Sequence, residues 1–135
     1  MRISADTNLL VRVIANDDTG QAKAAALLLR EAELVAVSLP CLCEFCWVLE
    51  SIYRLSRADI AFAIRQIVGR VNVVADRGAI TAGLRMLDAG GDFADGVIAA
   101  AGATLGGEVF VSFDRKAVAR LQEIGMPAEL ATAAA

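Results

Sequence analysis

Four acidic residues stand at positions from which they could act together: Asp6 after the first apolar run, Glu44 one turn past Pro40, Asp95 behind Gly90-Gly91, and Asp114 just after Val109–Ser112. Were their carboxylates about 5 Å apart, each pair would repel by roughly 3 kcal/mol at an effective dielectric near 20. Such a cluster calls for a cation. Oxygen-only ligands suit hard ions, and a few carboxylates completed by water and substrate phosphate are the habit of Mg²⁺, with Mn²⁺ as a substitute. The chain has no His, which removes the commonest general base and weakens the case for zinc or iron. A hydrolase built on these residues would rely on metal to lower the pKa of water and to offset charge on phosphate, which points to phosphodiester cleavage.

Each acid also has a plainer use. Asp near a helix N-terminus caps unpaired N–H groups and sits well in the helix dipole, a role open to Asp114 and to Asp92. Asp92, three residues before Asp95, fits either a metal ligand or an N-cap. Asp6 closes a central strand and is expected to be buried. Glu44 stands in Cys-Leu-Cys-Glu-Phe-Cys-Trp, apolar surroundings in which an unpaired carboxylate is costly. No G-x-x-x-x-G-K-[ST], G-x-G-x-x-G or G-x-S-x-G is present, so phosphate-cradling loops and acyl transfer find no support. A phosphatase or phospho-acceptor domain using Asp6 is one alternative. A haloacid-dehalogenase-like enzyme would want Asp at position 8, where Asn8 stands; a receiver-type domain would want paired acids on the first strand and an acceptor such as Asp76. A non-catalytic protein-interaction module is another.

Positioning these acids requires strands that alternate with helices. Arg2–Ala5 reads as a strand ending at Asp6, and Leu9, Leu10, Val13 and Ile14 follow at helical spacing over Thr7–Ala15. A turn at Asn16–Gly20 leads to an Ala- and Leu-rich helix, Gln21–Ala32, and then to the apolar strand Leu34–Val37. Pro40 suits the first turn of a helix that carries Glu44 to about Tyr53. Ser56, with Asp59 at the capping-box position, opens a helix that ends near Gly69. Asn72–Ala75 is a third strand, Asp76 the N-cap of Arg77–Ala89, and Gly90-Gly91 its stop. Asp92 and Asp95 open a helix to about Leu105; Glu108–Ser112 is the clearest strand, and Asp114 caps Arg115–Ile124. This alternation predicts an α/β fold in three layers, a central parallel sheet of four to five strands flanked by helices. Ligands of such sheets gather at the carboxyl ends of the strands, where all four acids fall.

The 135 residues suit a single domain over 1–135, with a loose C-terminal tail from about 127. At 57% hydrophobic and 21% charged residues, the composition excludes intrinsic disorder. The N-terminus meets Asp6 too soon for a secretory signal, and the weakly polar run Gly96–Gly107 is too short to span a bilayer, so neither export nor a membrane is expected. Cys41, Cys43 and Cys46 cannot all pair, which suits a reducing cytoplasm; they read as packing residues rather than zinc ligands. A net charge of −3 argues against a broad basic surface for nucleic acid. Divalent ions seated among the acids would offset it, and Arg12, Arg54, Arg57, Arg77, Arg115 and Lys116 offer a positive rim. Trp47 and Tyr53 read as packing a core or a dimer face.

These residues resemble those of PIN-domain ribonucleases, in particular the VapC-like toxins of type II toxin–antitoxin systems. The matching pieces are Asp6-Thr7-Asn8, Glu44, Asp92-Phe93-Ala94-Asp95-Gly96-Val97-Ile98-Ala99-Ala100 and Val111-Ser112-Phe113-Asp114, spread over Ile3 to Ile124. The resemblance implies metal-ligand roles for Asp6, Asp95 and Asp114, with Glu44 as a ligand or as the orienter of the attacking water. Thr7, Asn8 and Ser112 are candidates to hydrogen-bond the carboxylates. It further implies metal-dependent endonucleolytic cleavage of RNA, a homodimer, and inhibition by a small antitoxin protein.

Overall fold

A computed structural model describes residues 1–15 and 17–134. Two compact units make up the chain, Met1–Asp76 and Arg77–Ala135. Among the described residues no helix is long and apolar enough to cross a membrane.

The first unit runs β1 (Arg2–Ser4), α1 (Thr7–Ala15), α2 (Thr19–Glu31), β2 (Leu34–Ala36), α3 (Leu39–Ser51), α4 (Arg57–Val68) and β3 (Val73–Val74). Its strands form a parallel sheet in the order β1-β2-β3, with Ile3 opposite Val35 and Val35 opposite Val73. Leu10, Leu29, Leu42, Phe45, Ile60 and Ile64 are fully buried. Local chemistry sets the helix starts. Ser38 Oγ accepts from Cys41 N–H at 3.3 Å, and Ser56 Oγ accepts from Asp59 N–H at 3.1 Å. Asp18 accepts from Gln21 N–H at 3.0 Å, so α2 opens before Gln21. Asn16, where the expected turn begins, lies outside the described residues. β3 is shorter than Asn72–Ala75, although Asn72 O still accepts from Val35 N–H at 2.8 Å; the Asn72 side chain closes α2, donating to Leu29 O at 2.7 Å and Ala32 O at 2.9 Å. Those carbonyls have no intrahelical partner at a helix end.

The second unit runs α5 (Arg77–Asp88), α6 (Phe93–Thr104), β4 (Phe110–Ser112), α7 (Arg115–Glu123) and β5 (Ala128–Leu130). β4 and β5 pair in parallel, Phe110 opposite Ala128 and Ser112 opposite Leu130. Among the described residues, strand pairing is parallel within each unit, in one ladder of three and one of two. The segment after Pro127, expected to be loose, instead supplies β5. Ala131 N–H donates to Ser112 O at 2.8 Å, and Gln122 Nε2 donates to Ala128 O at 2.9 Å. Three residues of mixed polarity carry too little pattern to announce a strand; their partner, β4, makes them one. Ala128 joins Met86, Val118, Leu121 and Ile124 in a buried cluster.

Gly90, at φ +87°, ends α5 as the sequence predicts. Its N–H donates to Leu87 O at 3.1 Å and that of Gly91 to Met86 O at 2.7 Å, the paired bonds of a Schellman cap that needs a left-handed residue. α5 and α6 then pack with no room for a side chain at Gly83 or Gly96. A Cβ on Gly96 would lie 2.5 Å from Ala82 O and 2.8 Å from Met86 Cγ. Asp95 immediately precedes this contact, so the helix that carries it is seated by backbone-to-backbone packing. Gly96→Ala would gain about 0.5–1 kcal/mol in helix propensity, yet the clash is with backbone, and overpacking costs about 1–3 kcal/mol. The variant is therefore expected to be less stable by roughly 1–2 kcal/mol, seen as a lower urea midpoint at unchanged slope; an unshifted midpoint would refute the packing argument.

Candidate metal centre

In the first unit, Ala5 N–H donates to Ala36 O at 2.9 Å, carrying the β1–β2 ladder to the residue before Asp6. Asp6 thus lies at the carboxyl end of β1, as expected. It is exposed rather than buried, because the last ladder bond falls at Ala5 and the chain turns into α1 directly after it. Glu44 is exposed too. Its apolar sequence neighbours are no guide to its surroundings, since Cys41, Leu42, Phe45, Cys46 and Leu49 form the buried stripe of α3 and a helix turns successive residues onto different faces.

Thr7 and Cys41 link the two acids. Thr7 is 6% exposed, and its hydroxyl donates to Cys41 Sγ at 3.8 Å rather than to a carboxylate. Burial pushes the Cys41 thiol pKa up; the Thr7 bond opposes this, and the Asp6 and Glu44 carboxylates reinforce it. One thiol therefore feels both acids. Cys41 reads from sequence as packing, which it does; its spacing of three from Glu44 was the only local sign of a second role. All three cysteines are thiols. Asn8 is exposed and lines a groove of ≈ 340 Å³ between α1 and α2 with Asp6, Arg12, Gln21 and Leu28. Arg12 Nη1 donates to Asp17 Oδ1 at 2.5 Å and Tyr53 Oη to Asp17 Oδ2 at 2.8 Å. The Tyr53 hydroxyl, then Arg12, hold the Asp17 carboxyl below its usual range. Tyr53 is a hydrogen-bonding residue here, and Trp47 is 61% exposed rather than in the core.

In the second unit three acids gather. Asp92 caps α6, its Oδ1 accepting from Ala94 N–H at 3.2 Å. Asp114 caps α7, its Oδ1 accepting from Lys116 and Ala117 N–H at 3.0 and 3.1 Å. Both caps use Oδ1, so the other carboxylate oxygen is not spent on them. Ser112 Oγ accepts from Asp114 N–H at 3.0 Å, holding the main chain rather than the carboxylate. Asp95, in the first turn of α6, is half-buried. Burial, then the Asp92 carboxylate, then that of Asp114 raise the Asp95 pKa.

This donor set fits a hard divalent cation: it is all oxygen, and its charges oppose one another at Asp95. As the side chains stand, no three Asp, Glu or Cys groups among the described residues close on one point tightly enough to hold a metal ion.

The sign of the Asp95 shift gives a test. Its proton is held more tightly folded than unfolded, so the stability it contributes is complete below the unfolded carboxylate range and lost as pH rises through the raised folded pKa. In EDTA at neutral pH, Asp95→Asn is expected to raise Tm by on the order of a few °C, the gain shrinking as the pH falls below the carboxylate range. Mg²⁺ should raise the Tm of the parent more than that of the variant. Equal melting of the two proteins at every pH would count against the charge cluster.

Compared with known proteins, the chain matches the PIN domain model over residues 3–124, which takes in residues of both units. No curated protein matches it in sequence. With nearly its whole length under that match, the chain belongs to the PIN domain family, whose members are generally nucleases.

Proposed function

We propose that this PIN-family nuclease is a Mg²⁺- or Mn²⁺-dependent endoribonuclease, the toxin of a VapC-like toxin–antitoxin pair, with residues 1–135 acting as a single domain. The observation that carries the reading is the acidic cluster at Asp95, whose pKa is raised by burial first and then by the Asp92 and Asp114 carboxylates, in a chain whose family is one of nucleases. A divalent ion relieves the repulsion among those carboxylates. When bound, the metal supplies Lewis acidity, lowering the pKa of water and offsetting charge on phosphate.

The reading assigns Asp6, Asp95 and Asp114 to the metal. Glu44 serves as a further ligand or orients the attacking water, and Asp92 remains an N-cap that adds negative charge. Thr7 keeps Cys41 in place beneath Asp6 and Glu44. Ser112 fixes the main chain of Asp114, so that its Oδ1 holds the helix and its second oxygen faces ligand.

Partners follow the same logic. The groove between α1 and α2, walled by Leu9, Ala24, Ala25 and Leu28 and reaching Asp6, offers an apolar seat for an antitoxin segment. Trp47, Ile52 and Phe62, exposed on α3, its C-cap and α4, are the apolar side chains proposed to serve a homodimer. Three thiols suit the reducing cytoplasm.

The test is incubation of purified protein with total RNA and Mg²⁺ or Mn²⁺, followed by mapping of new 5′ ends. Cleavage should vanish in EDTA and fall by more than about 100-fold, beyond the usual cost of an outer-shell partner, in Asp6→Asn and Asp95→Asn. The same variants should relieve growth inhibition on expression in a bacterium. Metal-independent cutting, full activity of well-folded variants, or phosphate release from small monoesters would each overturn the reading.

A further inference from the structure

Phe113 is 72% exposed and stands between Ser112 and Asp114, on a backbone held from both sides. Ser112 pairs with Leu130 in the β4–β5 ladder and accepts the Asp114 N–H at 3.0 Å. Asp114 in turn caps α7. The main chain that carries the ring is therefore set, and no backbone ordering cost remains for a ligand that packs on it. Exposure alone means little, since single apolar side chains are common on surfaces. What distinguishes Phe113 is its company: the Asp114 carboxylate follows it, and then come Arg115 and Lys116, both exposed and, among the described residues, in no ion pair.

Resting on the ribonuclease reading, we propose that Phe113 is the platform on which an unpaired RNA base beside the scissile phosphate stacks, while Arg115 and Lys116 hold the neighbouring backbone phosphates. An aromatic face with adjacent cations is the combination that binds single strands: the ring takes any base, and the cations follow the backbone. Val109, just before β4, and Val111 within it are also exposed, so a protein partner is the competing occupant. The two unpaired cations favour a polyanion, because the cores of protein interfaces are poor in charge.

The test uses the full chain and a single-stranded oligoribonucleotide containing the mapped cleavage site. Phe113→Ala, at an exposed position, should fold as the parent does by circular dichroism. It should raise KM, and Kd measured by anisotropy in an Asp95→Asn background, by roughly 5- to 150-fold, with kcat nearly unchanged. Phe113→Leu should behave like Ala, whereas Phe113→Tyr, which keeps the ring, should restore binding. Arg115→Ala and Lys116→Ala should each reduce the slope of log Kd against log salt by about 0.7. Unchanged RNA binding by Phe113→Ala, rescue by Leu, or a shift in oligomeric state at constant Kd would overturn this assignment while leaving the ribonuclease reading intact. A parent protein that neither binds nor cuts RNA would overturn both.

Discussion

Carboxylates that repel one another stay close only where something else restrains them. Around Asp95 the restraint is helical. Asp92 and Asp114 sit at the N-termini of α6 and α7, where backbone N–H groups need acceptors and the dipole favours negative charge. α6 is in turn pressed onto α5 at Gly96, against the Ala82 carbonyl. The stabilisation from capping and packing offsets the cost of an acidic cluster. The raised proton affinity of Asp95 is the part not offset, and it is what the proposed cation would relieve.

The first unit meets the same need differently. Its acids, Asp6 and Glu44, are exposed, and what is buried beneath them is Thr7 and Cys41. Water pays most of the solvation of those carboxylates, while an apolar helix stripe and a parallel ladder ending at Ala5 hold their backbones. One unit thus offers carboxylates with an exposed approach and the other a strained cluster.

Exposed side chains divide in a similar way. Trp47 and Phe62 belong to helices and Ile52 caps one, whereas Phe113 directly precedes Asp114, Arg115 and Lys116 in the chain. The proposals of a protein face and of an RNA platform rest on that difference in neighbours rather than on exposure.

Sequence by itself determined the order of elements, most of their limits and the positions of the acids relative to strand ends. Ser56, Asp92 and Asp114 cap the helices they precede, because a cap is made among residues two or three positions apart and can be read locally. The tertiary structure alone decided that Asp6 and Glu44 are exposed, that β5 forms after Pro127, that Asn72 closes α2, and that Thr7 meets Cys41. Each of those depends on partners far apart in the chain. Burial and through-space charge are set by distances that no local pattern carries, and so the candidate carboxylates could be named from sequence while the surroundings that raise the Asp95 pKa could not.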